Sequence, residues 1–127
     1  MSNIKELSPL ALAFIGDAVH TVFVREEVLK GGKDKLNTYN TKAKMFCNAN
    51  SQSCTLEKLE PLLTDEEKDI VRKARNCKPK HRAKNFDEKT YNKATSFEAL
   101  VGFLYLTKQH KRLQQILQES MQIDLNS

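Results

Sequence analysis

Hydrophobic positions along this chain recur mostly at the three- to four-residue spacing of helices, and no segment alternates convincingly as a strand would. The first long run, "SPLALAFIGDAVHTVFVREEVLK", has Ser8 as its expected N-cap, Pro9 at the first helical position and Gly31-Gly32 as its stop. Residues 10 to 24 are apolar on almost every face, which predicts a helix surrounded by protein. A second helix is predicted from about Asp34 to Asn48, and a short third one follows Ser51 and ends before Pro61. In "TDEEKDIVRKAR", Thr64 and Glu67 stand at capping-box spacing, and Ile70, Val71 and Ala74 form the buried stripe. "NCKPKHRAKNFDEK", polar and carrying Pro79, reads as a loop from about Asn76 to near Asp87. A further helix or turn leads into a strongly apolar helix from about Thr95 to Thr107. Leu113, Ile116, Leu117 and Met121 stripe the last helix. The fold class is therefore all-α. With no repeat, low-complexity tract or linker, residues 1–127 are expected to form one domain.

Two positions break this pattern. Asp17 lies inside "AFIGDAVHTV", and Glu98 is the only charge in "TSFEALVGFLYL". A lone buried carboxylate costs several kcal/mol unless it is paired, hydrogen-bonded or bound to a metal. Each acid has a structural reading: Asp17 tied by Thr21 or a basic residue, and Glu98 completing a capping box with Thr95. His20, one turn from Asp17, is read as structural, and Phe97, Phe103 and Tyr105 as core. Taken together the acids suggest more. Each has a glycine nearby, Gly16 and Gly102, so the two helices could bring them to one point. Two carboxylates in reach repel unless a cation lies between them or one stays protonated. Magnesium suits such a pair, since it takes one or two carboxylates, waters and phosphate oxygens.

Charge supplies the phosphate. The chain carries +5 overall, yet from Arg72 to Lys93 nine basic residues face only Asp87 and Glu88. That window is strongly basic and the remainder slightly acidic, which points to a polyanionic partner. A solvated loop is the alternative. The three cysteines, Cys47, Cys54 and Cys77, form no CxxC pair and suit reduced, buried thiols rather than a disulfide framework. The mean hydropathy of -0.58 and an N-terminus unlike a secretory signal lead to the expectation of a cytoplasmic protein with no membrane partner. The residues alone converge on metal-assisted hydrolysis of a nucleic acid.

"FIGDAV" and "SFEALVGFLYL" resemble the two acidic motifs of the ribonuclease III catalytic domain. The similarity is greatest to the Mini-III branch, which lacks a separate double-stranded-RNA-binding domain. It extends through "LNTYNTKAKMFCNA" and "RNCKPKHRAKNFDEKTYNKATSFEALVGFLYL" to the last helix, in order over nearly the whole chain.

The resemblance implies the helical ribonuclease III fold and a homodimer. It implies a magnesium-dependent endoribonuclease (manganese substituting) that cuts double-stranded RNA to 5'-phosphate and 3'-hydroxyl ends. Asp17 and Glu98 match the family's catalytic metal-binding pair. Ordinary family members carry two further acids where this chain has Ala13 and Thr95; Thr95 is free to cap a helix, and a two-metal site is not expected. In the Mini-III branch the basic loop grips duplex RNA, which here implies Arg75, Asn76, Lys78, Lys80, His81, Arg82 and Lys84. The implied substrate is the large-subunit (23S) ribosomal RNA precursor, with a ribosomal protein as a candidate for presenting it. The rival readings are a duplex-RNA-binding or ribosome-associated protein that kept the fold without catalysis, and a helical DNA-binding module.

Overall fold

The protein is described by a computed structural model covering residues 3–77 and 87–122. Six α-helices account for its framework: α1 Pro9–Lys30, α2 Leu36–Lys44, α3 Ala49–Leu59, α4 Asp65–Arg75, α5 Glu88–Leu106 and α6 His110–Ser120. Short 3-10 turns at Ile4–Glu6 and Glu60–Leu62 complete it, and the described residues contain no strand. No described helix is long and apolar enough to cross a membrane.

Local chemistry sets the helix ends. The Ser8 hydroxyl accepts from the Ala11 amide at 3.1 Å with Pro9 in the first turn, and Gly31 closes α1 after Lys30. Asn48 caps α3 through the Ser51 amide, which starts that helix two residues earlier than the predicted Ser51. α2 is shorter than its predicted span, running from Leu36 to Lys44, because Asp34 is drawn into a turn whose backbone amide donates to the Tyr39 hydroxyl. Thr64 and Glu67 form the reciprocal capping box at the head of α4.

The largest correction is at α5. It is one helix from Glu88, capped by the Asp87 carboxylate on the Thr90 amide at 2.7 Å. Thr95 is therefore no cap: it lies buried in the helix interior. The stretch "EKTYNKA" has too few apolar residues to announce a helix, but Asp87 supplies the start and its neighbours supply the packing.

α5 is the axis of the molecule, touching α1, α3, α4 and α6. Phe97, Ala99, Leu100, Val101 and Leu104 are wholly buried along it, whereas Tyr105 is exposed and not core. α1 is also not enclosed on all sides. Leu12, Ala13, Gly16, Phe23 and Val24 face inward, but Phe14 is 83% exposed and Leu10 and Val22 share its surface. The cysteines are free thiols, and none is buried: Cys47 and Cys77 are partly covered and Cys54 is exposed. A buried ion pair, Glu67 with Arg112, ties α4 to α6, and Arg112 also donates to the Leu62 carbonyl.

The contact between α1 and α5 leaves no room for a side chain. A Cβ at Gly16 would stand 1.7 Å from the Glu98 carbonyl oxygen, and one at Gly102 would stand 2.0 Å from the Leu12 carbonyl oxygen. Both obstacles are backbone, so neither can swing aside. Gly102→Ala is expected to lower stability by about 3 kcal/mol or more, the upper range for overpacking a core. A urea melt comparing it with Ala99→Gly, which opens space on the same helix, checks that crowding and not helix propensity is responsible.

Candidate active site

The glycine crossing determines where the acids stand. Asp17 follows Gly16 on α1, and Glu98 is the residue whose backbone Gly16 touches on α5, so the two carboxyl groups converge. Asp17 is exposed at the margin of α1, and Glu98 is half-buried behind it. The predicted alternatives for both fail. Thr21 donates its hydroxyl to the Asp17 backbone carbonyl at 2.8 Å, not to the carboxylate. Glu98 sits mid-helix, where no N-terminal amide is free to receive it. Neither acid has a salt bridge among the described residues.

Burial and the adjoining Asp17 push the Glu98 carboxyl up to about 8, while the Gln52 amide acts in the opposite direction. The pair as it stands thus favours a proton or another cation between its members. Its oxygen donors suit a hard divalent ion, and among the described residues no group of three or more His, Cys, Asp or Glu side chains could hold one. Two carboxylates with waters and substrate phosphate oxygens match the magnesium habit, so the residues present fit the ion.

Behind the acids lies a polar layer that sequence reasoning did not foresee. Gln52, buried on α3, places its Nε2 3.2 Å from His20 Nδ1 and faces the Glu98 carboxylate. His20 is 1% exposed, and its ring stands edge-on to Phe97 with centroids 5.0 Å apart. Burial lowers its pKa to about 4, with Asp17 opposing, so it is neutral at physiological pH. Cys47 borders the site with its thiol toward Thr21; burial, with Asp17 and Glu98 nearby, pushes it up and keeps it a thiol. Gln52 had one signal in the sequence: it stands a turn before Leu56 and two before Leu59 on the inward stripe of α3.

Residues 10–109 match the Ribonuclease III domain. The Mini-ribonuclease 3 of Symbiobacterium thermophilum is 42% identical over 93% of this chain and 91% of its own length. That of Staphylococcus aureus is 42% identical over 96% and 92%. The chain belongs to the ribonuclease III family. A crystal structure of a Fusobacterium nucleatum protein superposes with a TM-score of 0.85 at 31% identity, over 96% of this chain and 98% of that one. The two ribonuclease III-like motifs, with their aspartate and glutamate, lie side by side at the α1–α5 crossing.

The predicted RNA-binding residues divide differently. Lys78, Lys80, His81, Arg82 and Lys84 lie outside the described residues. Arg75 ends α4, where its guanidinium pairs with Glu60, and Asn76 is the C-cap of that helix. Between α4 and α5, Arg75, Glu88, Lys89, Asn92 and Lys93 line an open cleft of about 410 Å³, and Lys93 pairs with Glu57 at its edge. Basic residues therefore flank both ends of the predicted loop.

The two perturbed groups make opposite demands on folding. Glu98, raised from 4.5 to about 8, binds a proton more tightly folded than unfolded, so its contribution is present below 4.5 and lost as pH rises through 8. His20, lowered from 6.5 to about 4, gives stability above 6.5 that is lost as pH falls through 4. Between about pH 6.5 and 8, of these two groups, Glu98 is the one whose folded and unfolded forms differ in bound protons. Metal-free protein should therefore lose thermal stability across that interval, and Glu98→Gln should flatten the slope; melting curves at fixed ionic strength measure both.

Proposed function

We propose that this chain is a magnesium-dependent endoribonuclease that cuts double-stranded RNA, with Asp17 and Glu98 as its catalytic, metal-binding residues. The observation that carries the reading is their convergence, without salt-bridge partners among the described residues, across the Gly16–Gly102 contact. When bound, a divalent ion supplies a readily deprotonated water and offsets charge developing on the phosphodiester. Glu98, half-buried, and Asp17, exposed beside it, would hold the ion through their carboxylate oxygens. Hydrolysis breaks the bond from phosphorus to the 3' oxygen, leaving a 5'-phosphate and a 3'-hydroxyl. Ala13 and Thr95, both buried and neutral, leave one carboxylate pair per chain, in keeping with a single ion.

Duplex RNA is held by its backbone and 2'-hydroxyls rather than by sequence. Lys78, Lys80, His81, Arg82 and Lys84 are the gripping residues in this reading, with Arg75 and Asn76 at the loop's base. The apolar face of α1 supports a homodimer. Leu10, Phe14 and Val22 are exposed there beside a groove of about 390 Å³ that includes Ile15, Val19 and Leu113. An exposed Phe-centred patch of this kind marks an association surface. Large-subunit ribosomal RNA precursor is the proposed substrate, in the cytoplasm and with a ribosomal protein presenting it, on the strength of the likeness to Mini-ribonuclease 3.

Three measurements test these parts. Asp17→Ala and Glu98→Ala should each reduce cleavage of a perfect RNA duplex on the order of a thousandfold, about 4 kcal/mol of barrier, with RNA binding retained. A parent protein that binds RNA but never cuts it with magnesium or manganese overturns the catalytic reading. Replacing Lys80, Arg82 and Lys84 with alanine together should weaken RNA binding across sequences and reduce the salt slope by about 3, one per phosphate contact. Phe14→Glu should convert a dimer to a monomer in sedimentation, and a parent that sediments as a monomer removes the dimer from the proposal.

A further inference from the structure

Glu98 is not aimed by its own helix alone. α3 brings the Gln52 amide against the Glu98 carboxylate on one side and His20 Nδ1, at 3.2 Å, on the other. With the Gln52 Nε2 set against it, His20 Nδ1 is the acceptor, because an amide NH2 can only donate; the Glu98 carboxylate oxygens are the other acceptor. The amide NH2 has two protons to satisfy both. This places the His20 proton on Nε2, and that nitrogen is buried with no hydrogen-bond partner. An unpartnered buried N–H is a standing cost that a phenyl ring of similar shape would avoid. Packing against Phe97 therefore does not account for a histidine here, whereas a fixed acceptor for Gln52 does.

We infer that Gln52 is a positioning residue for the metal-binding carboxylate of Glu98, held in its working orientation by His20 acting as a fixed acceptor. The three side chains come from α3, α5 and α1, so the arrangement links the site's geometry to the packing of three helices. Gln52 reaches the carboxylate from inside the protein and stays clear of the solvent side from which substrate arrives. Its loss should consequently change ion affinity and turnover and leave RNA affinity alone. Metal-ligating carboxylates characteristically depend on such supporting hydrogen bonds, whose removal weakens metal affinity about 10- to 100-fold.

This inference rests on the proposed metal pair, and the experiment separates the two. Manganese binding to the full chain without RNA is measured by electron paramagnetic resonance for the parent, Asp17→Ala, Gln52→Leu, His20→Phe and His20→Asn, with thermal melts on each. Cleavage of an RNA duplex under magnesium titration accompanies it. Gln52→Leu is expected to weaken manganese binding at least about tenfold and lower kcat while KM for RNA holds. His20→Phe should fold and share the weakened binding, because it removes the acceptor that holds Gln52. His20→Asn, whose amide oxygen can stand in for Nδ1, should recover most of the affinity. A folded Gln52→Leu with parental manganese affinity and kcat overturns the inference, as do equal affinities for His20→Phe and His20→Asn, the comparison that decides if Gln52→Leu does not fold. If the parent itself binds manganese no better than Asp17→Ala, it is the metal pair that fails.

Discussion

Everything at the site depends on how closely α1 and α5 approach. Helix axes are normally kept apart by the side chains between them, at distances those side chains set. Here Gly16 lies on the Glu98 carbonyl and Gly102 lies on the Leu12 carbonyl, so the helices meet backbone to backbone. Asp17, a short side chain, and Glu98 then reach one another. With a larger residue at either glycine the acids would be separated by a further side-chain width, and the cation-seeking character of the pair would disappear with the contact.

The molecule treats the buried Glu67 and the half-buried Glu98 in opposite ways. Glu67 is nearly sealed from solvent but takes two hydrogen bonds from Arg112 and one from the Thr64 amide, so its charge is fully answered and its pKa falls despite burial. Glu98 is less buried but meets another carboxylate, and its pKa rises. The first arrangement locks α4 to α6 and serves stability. The second stores an electrostatic deficit that a divalent ion would relieve, which is the expected signature of a functional site rather than a structural one. His20 and Gln52 extend the contrast: their hydrogen bond is buried, polar and incompletely satisfied, and it lies behind the acids rather than in the hydrophobic core.

α1 serves two surfaces at once. Its inward face supplies Leu12, Phe23 and Val24 to the core and Gly16 to the crossing, while Phe14 and Val22 are left in the open. This explains why the helix reads as apolar all round. The pattern predicts a helix surrounded by protein, and the chain covers only one of its two apolar faces.

The sequence by itself determined the all-helical character, the helix ends at Ser8, Gly31 and Thr64, the stripes of α4 and α6, and the identity of the two acids as exceptions. These are local properties: caps act within a turn, and amphipathic periodicity needs only neighbours along the chain. Tertiary structure decided the rest. α5 begins at Glu88 rather than near Thr95 because its polar first turns are stabilised by the Asp87 cap and by packing that no local pattern encodes. Gln52, placed among serines, reads as a surface residue until α3 is laid against α1 and α5. The meeting of Asp17 and Glu98, 81 positions apart, was legible only as a possibility in the paired glycines. What made it a fact is the absence of side-chain atoms between two helix backbones, a property of their contact and of neither helix alone.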